Sequence, residues 1–119
     1  MSKPFLLNAW YVAAWSYEVK NELFERTIIG DSVLMYRKSD GTPVAMSNAC
    51  PHRFAPLHRG KLDGDVVECP YHGLRYDSTG ACVLNPHGNG KVPSRARTKL
   101  YPLVEIHDML WLWMGEPDL

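Results

Sequence analysis

Long apolar runs are missing from this chain of 119 residues, so no segment offers the roughly 20 consecutive apolar positions that a membrane-spanning helix needs. The first residues, Met1 to Leu7, also lack the charged start and extended apolar stretch of a secretory signal, and the expected location is the cytoplasm. Excess charge of either sign is absent. Thirteen Lys and Arg balance thirteen Asp and Glu, and the formal net charge is zero. Without a global field, neither nucleic acid nor an anionic membrane is an expected partner. Cysteine is scarce: three thiols cannot all pair, and a reducing compartment keeps them available to metal. Sustained helical periodicity is lacking as well, since no window holds an apolar repeat over three turns.

What is present is frequent punctuation. Nine Gly and nine Pro separate short apolar stretches, and the fold class expected from this is all-β. Strands are expected at Trp10 to Trp15, Arg26 to Ile29, Ser32 to Arg37, Val44 to Asn48, Val66 to Cys69, Leu74 to Tyr76, Ala81 to Leu84, Leu100 to Ile106 and Leu110 to Met114. Gly30-Asp31, Ser39-Asp40-Gly41, Asp63-Gly64-Asp65 and Ser78-Thr79-Gly80 carry hairpin turn chemistry, which implies antiparallel sheets. One short helix is expected around Tyr17 to Glu22. Repeats and low-complexity tracts are absent, so residues 1–119 form one expected domain. Within it, residues 49–84 are rich in Cys, His, Pro and Gly and read as a metal-binding lobe. The lobe is inserted into an antiparallel, sandwich-like base made of residues 1–48 and 85–119.

Two short loops carry the chemistry. The first reads Cys50-Pro51-His52 and the second Cys69-Pro70-Tyr71-His72-Gly73, with sixteen residues between His52 and Cys69. Each offers one soft thiolate and one imidazole, a set of four ligands that suits a tetrahedral zinc or an iron–sulfur cluster. Zinc fingers group two cysteines on one arm and two histidines on the other, whereas here each arm mixes the types. A Rieske cluster asks for that mixture, because one of its irons takes two cysteines and the other two histidines. Pro51 and Pro70 fix φ within the loops, and Gly73 is free to take a positive φ where the chain turns tightly.

At these residues the chain resembles the Rieske [2Fe–2S] domain family, and the resemblance extends over nearly its whole length. It implies that Cys50 and Cys69 hold the buried iron and His52 and His72 the outer one, with the histidine edges toward a redox partner. Respiratory-chain Rieske proteins brace the cluster with a disulfide between an extra cysteine in each loop. Here the nearby positions are Arg53, Phe54, Ala55 and Tyr71, so no such brace forms. With few polar donors near the sulfurs, the expected potential lies toward the low end of the Rieske range. Arg53, Tyr71 and Gly73 are the residues expected to tune or shape the cluster from beside its ligands.

The segments Asn8 to Trp15, Cys50 to Leu57 and Asn85 to Gly90 further resemble the N-terminal domain of the Rieske non-haem iron oxygenases. Within that family they look most like the vanillate O-demethylase and dicamba-type monooxygenase branch. The resemblance implies a domain that accepts electrons from a flavin/[2Fe–2S] reductase. It would pass them to a mononuclear iron in the catalytic domain of the same or a neighbouring subunit of a homotrimer, for an aromatic-ring or O-demethylating reaction.

That second iron needs two histidines and a carboxylate. The remaining histidines, His58, His87 and His107, are scattered among strand and turn signals with no such pairing. The 119 residues are therefore expected to be the electron-receiving domain alone, a fragment or truncated product without turnover of its own. The competing readings are a free-standing Rieske ferredoxin and a zinc-stabilised interaction module. Cys82, with no histidine nearby, is expected to be a core thiol. His87 is read as a loop histidine making local hydrogen bonds, and His58 and His107 as half-exposed side chains. Lys91, Arg95, Arg97 and Lys99 are read as a solvated basic stretch, the alternative being a stripe that steers an acidic reductase. Trp10, Trp15, Trp111 and Trp113 are expected to fill the core of the base.

Overall fold

A computed structural model describes residues 8–49, 56–70, 73–84 and 97–115. Ten strands alternate along them: β1 (Ala9–Trp15), β2 (Phe24–Ile28), β3 (Asp31–Arg37), β4 (Pro43–Ser47), β5 (Lys61–Asp63), β6 (Val66–Glu68), β7 (Arg75–Tyr76), β8 (Cys82–Leu84), β9 (Leu103–Ile106) and β10 (Met109–Met114). They form three antiparallel sheets, ordered β1-β10-β9, β2-β3-β4 and β5-β6-β7-β8. The all-β, antiparallel expectation holds.

The second sheet is buried on both faces, and β3 shows why. Its Val33-Leu34-Met35-Tyr36 run is fully apolar, and successive side chains of a strand point to opposite faces. Val33 and Met35 therefore enter one core with Ala13, Ala14, Leu110, Leu112 and Met114 of the first sheet. Leu34 and Tyr36 enter another with Val67, Leu74 and Tyr76 around the third sheet. Val44 and Met46 join the second of these cores while Ala45, between them, joins the first. A single central sheet thus holds the other two in place.

Tight turns set the registers. Ile29 and Gly30 connect β2 to β3 with both φ positive, 40° and 89°, the conformation whose twist matches a two-residue hairpin. His107 and Asp108 do the same between β9 and β10, at 55° and 62°. Polar ties then lock the sheets. Arg37 meets Glu105 through two hydrogen bonds of 2.6 and 3.1 Å and also donates to the carbonyls of Ser16, Val19 and Gly41. That one guanidinium joins β3 to β9 across the first core.

Every expected strand has a counterpart, with four departures. The helix expected at Tyr17 to Glu22 is a single 3-10 turn, Ser16–Glu18, because the Lys20 carbonyl is taken by the Arg37 amide and Val19 is drawn into the core. Strand β5 and a 3-10 turn at Leu57–Arg59 were not anticipated. The strand expected from Leu100 begins only at Leu103. Before it, the Ser47 amide donates to Lys99 and the Tyr101 amide to Ala45, so this stretch runs beside β4 and changes sheets at Pro102.

The fourth departure concerns the tryptophans, which do not fill the core. Along β10, Leu110, Leu112 and Met114 point inward while Trp111 and Trp113 point to the other face, where Trp10 and Trp15 are half-exposed. The first core is filled instead mainly by aliphatic and small side chains around Val33 and Met35, together with Tyr101.

Candidate metal centre

Cys69 is the one of the four expected ligands that lies among the described residues; Cys50, His52 and His72, with Arg53 and Tyr71, lie outside them. Cys69 follows β6 directly and is buried in the second core beside Leu57, Leu74 and Tyr76. Its amide donates to the Leu74 carbonyl at 2.7 Å, and its carbonyl accepts from the Gly73 amide at 3.1 Å. Gly73 has φ +77°, the left-handed conformation in which a side chain is disfavoured, as the sequence suggested. Loop two is therefore the tip of the β6–β7 hairpin, closed at its root around a buried sulfur. Below the tip, Arg75 pairs with Glu68 at 3.1 Å and Asp63 at 3.0 Å, binding β5, β6 and β7 together.

The first loop leaves from the end of β4, and its two flanks are pinned. Asn48 is buried and accepts from the His58 amide at 2.7 Å through Oδ1, while its Nδ2 faces the His58 ring Nδ1 at 2.7 Å. Since Oδ1 is committed to the backbone donor, the ring nitrogen must accept, which leaves the imidazole proton on Nε2. Thr98, also buried, donates to the Ser47 carbonyl at 3.1 Å and lies 3.5 Å from that of Ala49.

The two loops are joined by a close backbone approach. Gly60 ends the 3-10 turn that follows the first loop, and a Cβ built on it would lie 1.8 Å from the Glu68 carbonyl, one residue before Cys69. Only glycine lets the chain leaving loop one lie directly against the chain approaching loop two. Deeper in, burial and the nearby Asp65 and Asp77 push the Tyr36 phenol up to about 12, so it stays a neutral donor, to the Asp65 carbonyl at 3.2 Å.

Sequence reasoning missed Asn48, Gly60 and Thr98. Their partners lie ten, eight and about fifty residues away, and nothing local marks them. Of the other residues singled out, Cys82 is buried in the second core, its thiol 3.6 Å from the Leu84 carbonyl, as expected of a core thiol. His58 belongs to the Asn48 clasp, and His107 sits exposed in the β9–β10 turn. His87, Lys91 and Arg95 lie outside the described residues, while Arg97 bridges to Ala81 next to β8 and Lys99 lies beside β4. Among the described residues no helix is long and apolar enough to cross a membrane.

A family model for the Rieske [2Fe–2S] domain matches residues 9–102, from β1 to the residue before β9. The chain belongs to the Rieske [2Fe–2S] domain family. Its Rieske fold is shared with crystalline dicamba monooxygenase bound to dicamba, at a TM-score of 0.92 and 45% identity over 97% of this chain and 34% of that one. Among curated proteins it is 49% identical to the oxygenase component of chloroacetanilide N-alkylformylase from Rhizorhabdus wittichii, over 97% of this chain and 33% of the relative. It is 45% identical to the oxygenase component of dicamba O-demethylase from Stenotrophomonas maltophilia, over 97% of this chain and 34% of the relative. The chain thus spans about a third of the length of the relatives it matches. The described part of the Rieske site fits the cluster: a buried thiol at the root of a glycine-dependent hairpin tip, walled by apolar side chains, presents soft sulfur where water is excluded.

Proposed function

We propose that this Rieske domain receives single electrons from a reductase and passes them to a mononuclear iron held by further polypeptide of an oxygenase. Cys50 and Cys69 would hold one iron of the cluster, and His52 and His72 the other. When bound, the cluster supplies reversible one-electron transfer. The protein's part is to fix the two loops against each other, which the Asn48 clasp, the Gly60 approach and the Cys69–Leu74 and Gly73–Cys69 hydrogen bonds are built to do. The burial of Cys69 at the root of its hairpin is the observation that carries this reading. Arg53 and Tyr71 would act from beside the ligands on the potential.

In this reading residues 49–84 form the cluster lobe on a base of residues 1–48 and 85–119, and the protein works in the cytoplasm. The donor is a flavin/[2Fe–2S] reductase. The acceptor is the catalytic domain of the same or a neighbouring subunit, in a homotrimeric oxygenase acting on aromatic or methoxylated substrates. The oxygenase components among its relatives support this placement. The test is direct: the purified chain should be coloured, and after reduction should give the rhombic electron-spin signal of a Rieske centre. A colourless protein with one zinc per chain would overturn the proposal.

A further inference from the structure

Strand β10 reads Met-Leu-Trp-Leu-Trp-Met, apolar at every position. That is the composition of a strand covered on both faces, the pattern β3 also shows. For β3 both covers lie within the chain, one core on each side. For β10 only one does among the described residues. Its inward residues Leu110, Leu112 and Met114 fill the first core, and its outward residues Met109, Trp111 and Trp113 are only partly covered.

Register extends this bare face across the whole first sheet. Trp10 lies beside Trp113; Val12 lies beside Trp111, which in turn lies beside Val104; Trp15 lies beside Met109, which in turn lies beside Ile106. None of these eight carries a charge. Trp10 is 45% exposed, Val12 48%, Trp15 51%, Val104 43% and Ile106 49%. Trp10 and Trp113 pack edge to face at 5.5 Å, Trp15 stacks on Tyr17 at 6.5 Å, and the Trp111 Nε1 is closed off from water with no acceptor. All four tryptophans of the chain are here. A contiguous apolar patch of this kind on a small domain marks an interface.

The kind of partner follows from the chemistry and from the relatives' length. Brief encounters between redox proteins use small, charge-steered surfaces, whereas permanent contacts are large and apolar. An uncharged sheet face fits the second kind. The relatives carry about twice as much polypeptide again in the same chain, so a permanent neighbour is available. We propose that the outer face of the β1-β10-β9 sheet is the seat of that remaining two thirds of an oxygenase polypeptide, with Trp10, Trp15 and Val12 buried beneath it. The inference rests on reading the chain as the Rieske part of a longer oxygenase.

Because every tryptophan lies on this face, tryptophan chemistry reports on it alone. The experiment compares hydroxyl-radical oxidation of Trp10 and Trp15 in the 119-residue chain with oxidation in the same chain joined to the remaining two thirds of the chloroacetanilide N-alkylformylase oxygenase component. A several-fold slower oxidation in the joined chain is expected. Equal rates overturn the proposal, and so does a concentration-dependent dimer of the isolated chain that protects both tryptophans, since a second copy is then the occupant. A measurement on the isolated chain is independent of how the joined chain folds. An apolar dye should bind it, and Val12→Lys with Ile106→Lys should abolish that binding while leaving the electron-spin signal intact; dye binding unchanged by the pair overturns the proposal. Loss of the Rieske signal in the unaltered chain would count against the proposed function instead, and is read separately from tryptophan protection.

Discussion

Asn48 and His58 hold each other through two contacts of 2.7 Å, one from the His58 amide to Asn48 Oδ1 and one from Asn48 Nδ2 to the ring. They stand at opposite ends of the stretch that carries Cys50 and His52. The clasp thus fixes the span that the first loop has to bridge. Asn48 also reaches back to Ser32, its amide to the carbonyl at 3.1 Å and its Nδ2 to the hydroxyl at 3.2 Å, which ties the clasp to β3. Asn48→Ala leaves the part-buried His58 amide without its acceptor, at a cost of about 1 kcal/mol. The expected outcome is a lower denaturant midpoint together with fewer irons per chain. His58→Ala should lose less of both, because the backbone donor remains; equal losses would show that the ring carries the clasp.

Gly60 and Gly30 offer a contrast between space and conformation. A methyl group on Gly60 has nowhere to go, since the Glu68 carbonyl is backbone and cannot swing aside. Gly60→Ala should cost about 1–3 kcal/mol, the range for overpacking, and should reduce iron incorporation because the two loops are pushed apart. Gly30 has open space around it but φ +89°, so Gly30→Ala should cost about 1–2 kcal/mol and leave iron content unchanged. Iron quantitation on the two variants, normalised to folded protein, separates the effects. Normal iron in Gly60→Ala would refute the link between this contact and the site.

The cysteines should separate as sharply. Cys69 and Cys82 are both buried in the same core, yet only Cys69 sits at the root of the glycine-dependent hairpin tip. Cys69→Ala should abolish the visible absorption and the electron-spin signal. Cys82→Ala should retain both, with a modest loss of stability of about 1 kcal/mol from the small void left behind. A colourless Cys82→Ala variant would show that the third thiol has been misplaced.

Acid should weaken the tie between the first and second sheets. The Arg37 guanidinium holds the Glu105 carboxyl below its ordinary value of 4.5, and Arg26 does the same to Glu18. A depressed folded-state pKa means that the pair's stabilisation is complete above the unfolded value and fades as pH falls through the folded one. Both pairs are partly exposed, so solvent screens them and the contribution of each is modest. The melting temperature of the unaltered chain should fall as pH drops below about 4.5, more steeply than that of Glu105→Gln. Parallel profiles would rule the pair out as the source. Arg37→Ala should be the more damaging change at neutral pH, because it also leaves the Ser16, Val19 and Gly41 carbonyls without their donor.

Much of this architecture was legible in the chain itself. Short alternating stretches between glycine and proline carry the strand periodicity locally, which is why the strands fell within a few residues of their places. The mixed Cys/His arms identified the family for the same reason, because ligand type and spacing are properties of short segments. Strand β5 escaped because Lys61-Leu62-Asp63 is mostly polar, and its pairing with β6 is decided by the turn at Gly64 and by the neighbours it finds.

The sequence by itself determined the all-β class, the hairpin turns, the core thiol at Cys82 and the freedom for a positive φ at Gly73. The tertiary structure alone decided which side of a strand faces inward. Trp111 and Trp113 alternate with Leu110 and Leu112, and periodicity says only that they lie on opposite faces. Size and hydrophobicity favoured the tryptophans for the core. Packing reversed that, because β3 and β4 offer it small and flexible aliphatic partners, and Leu and Met pack against them. The contacts at Asn48, Gly60 and Thr98 were hidden for a related reason: their partners lie eight to about fifty residues away, and how the chain folds back to meet them is not written in any local pattern.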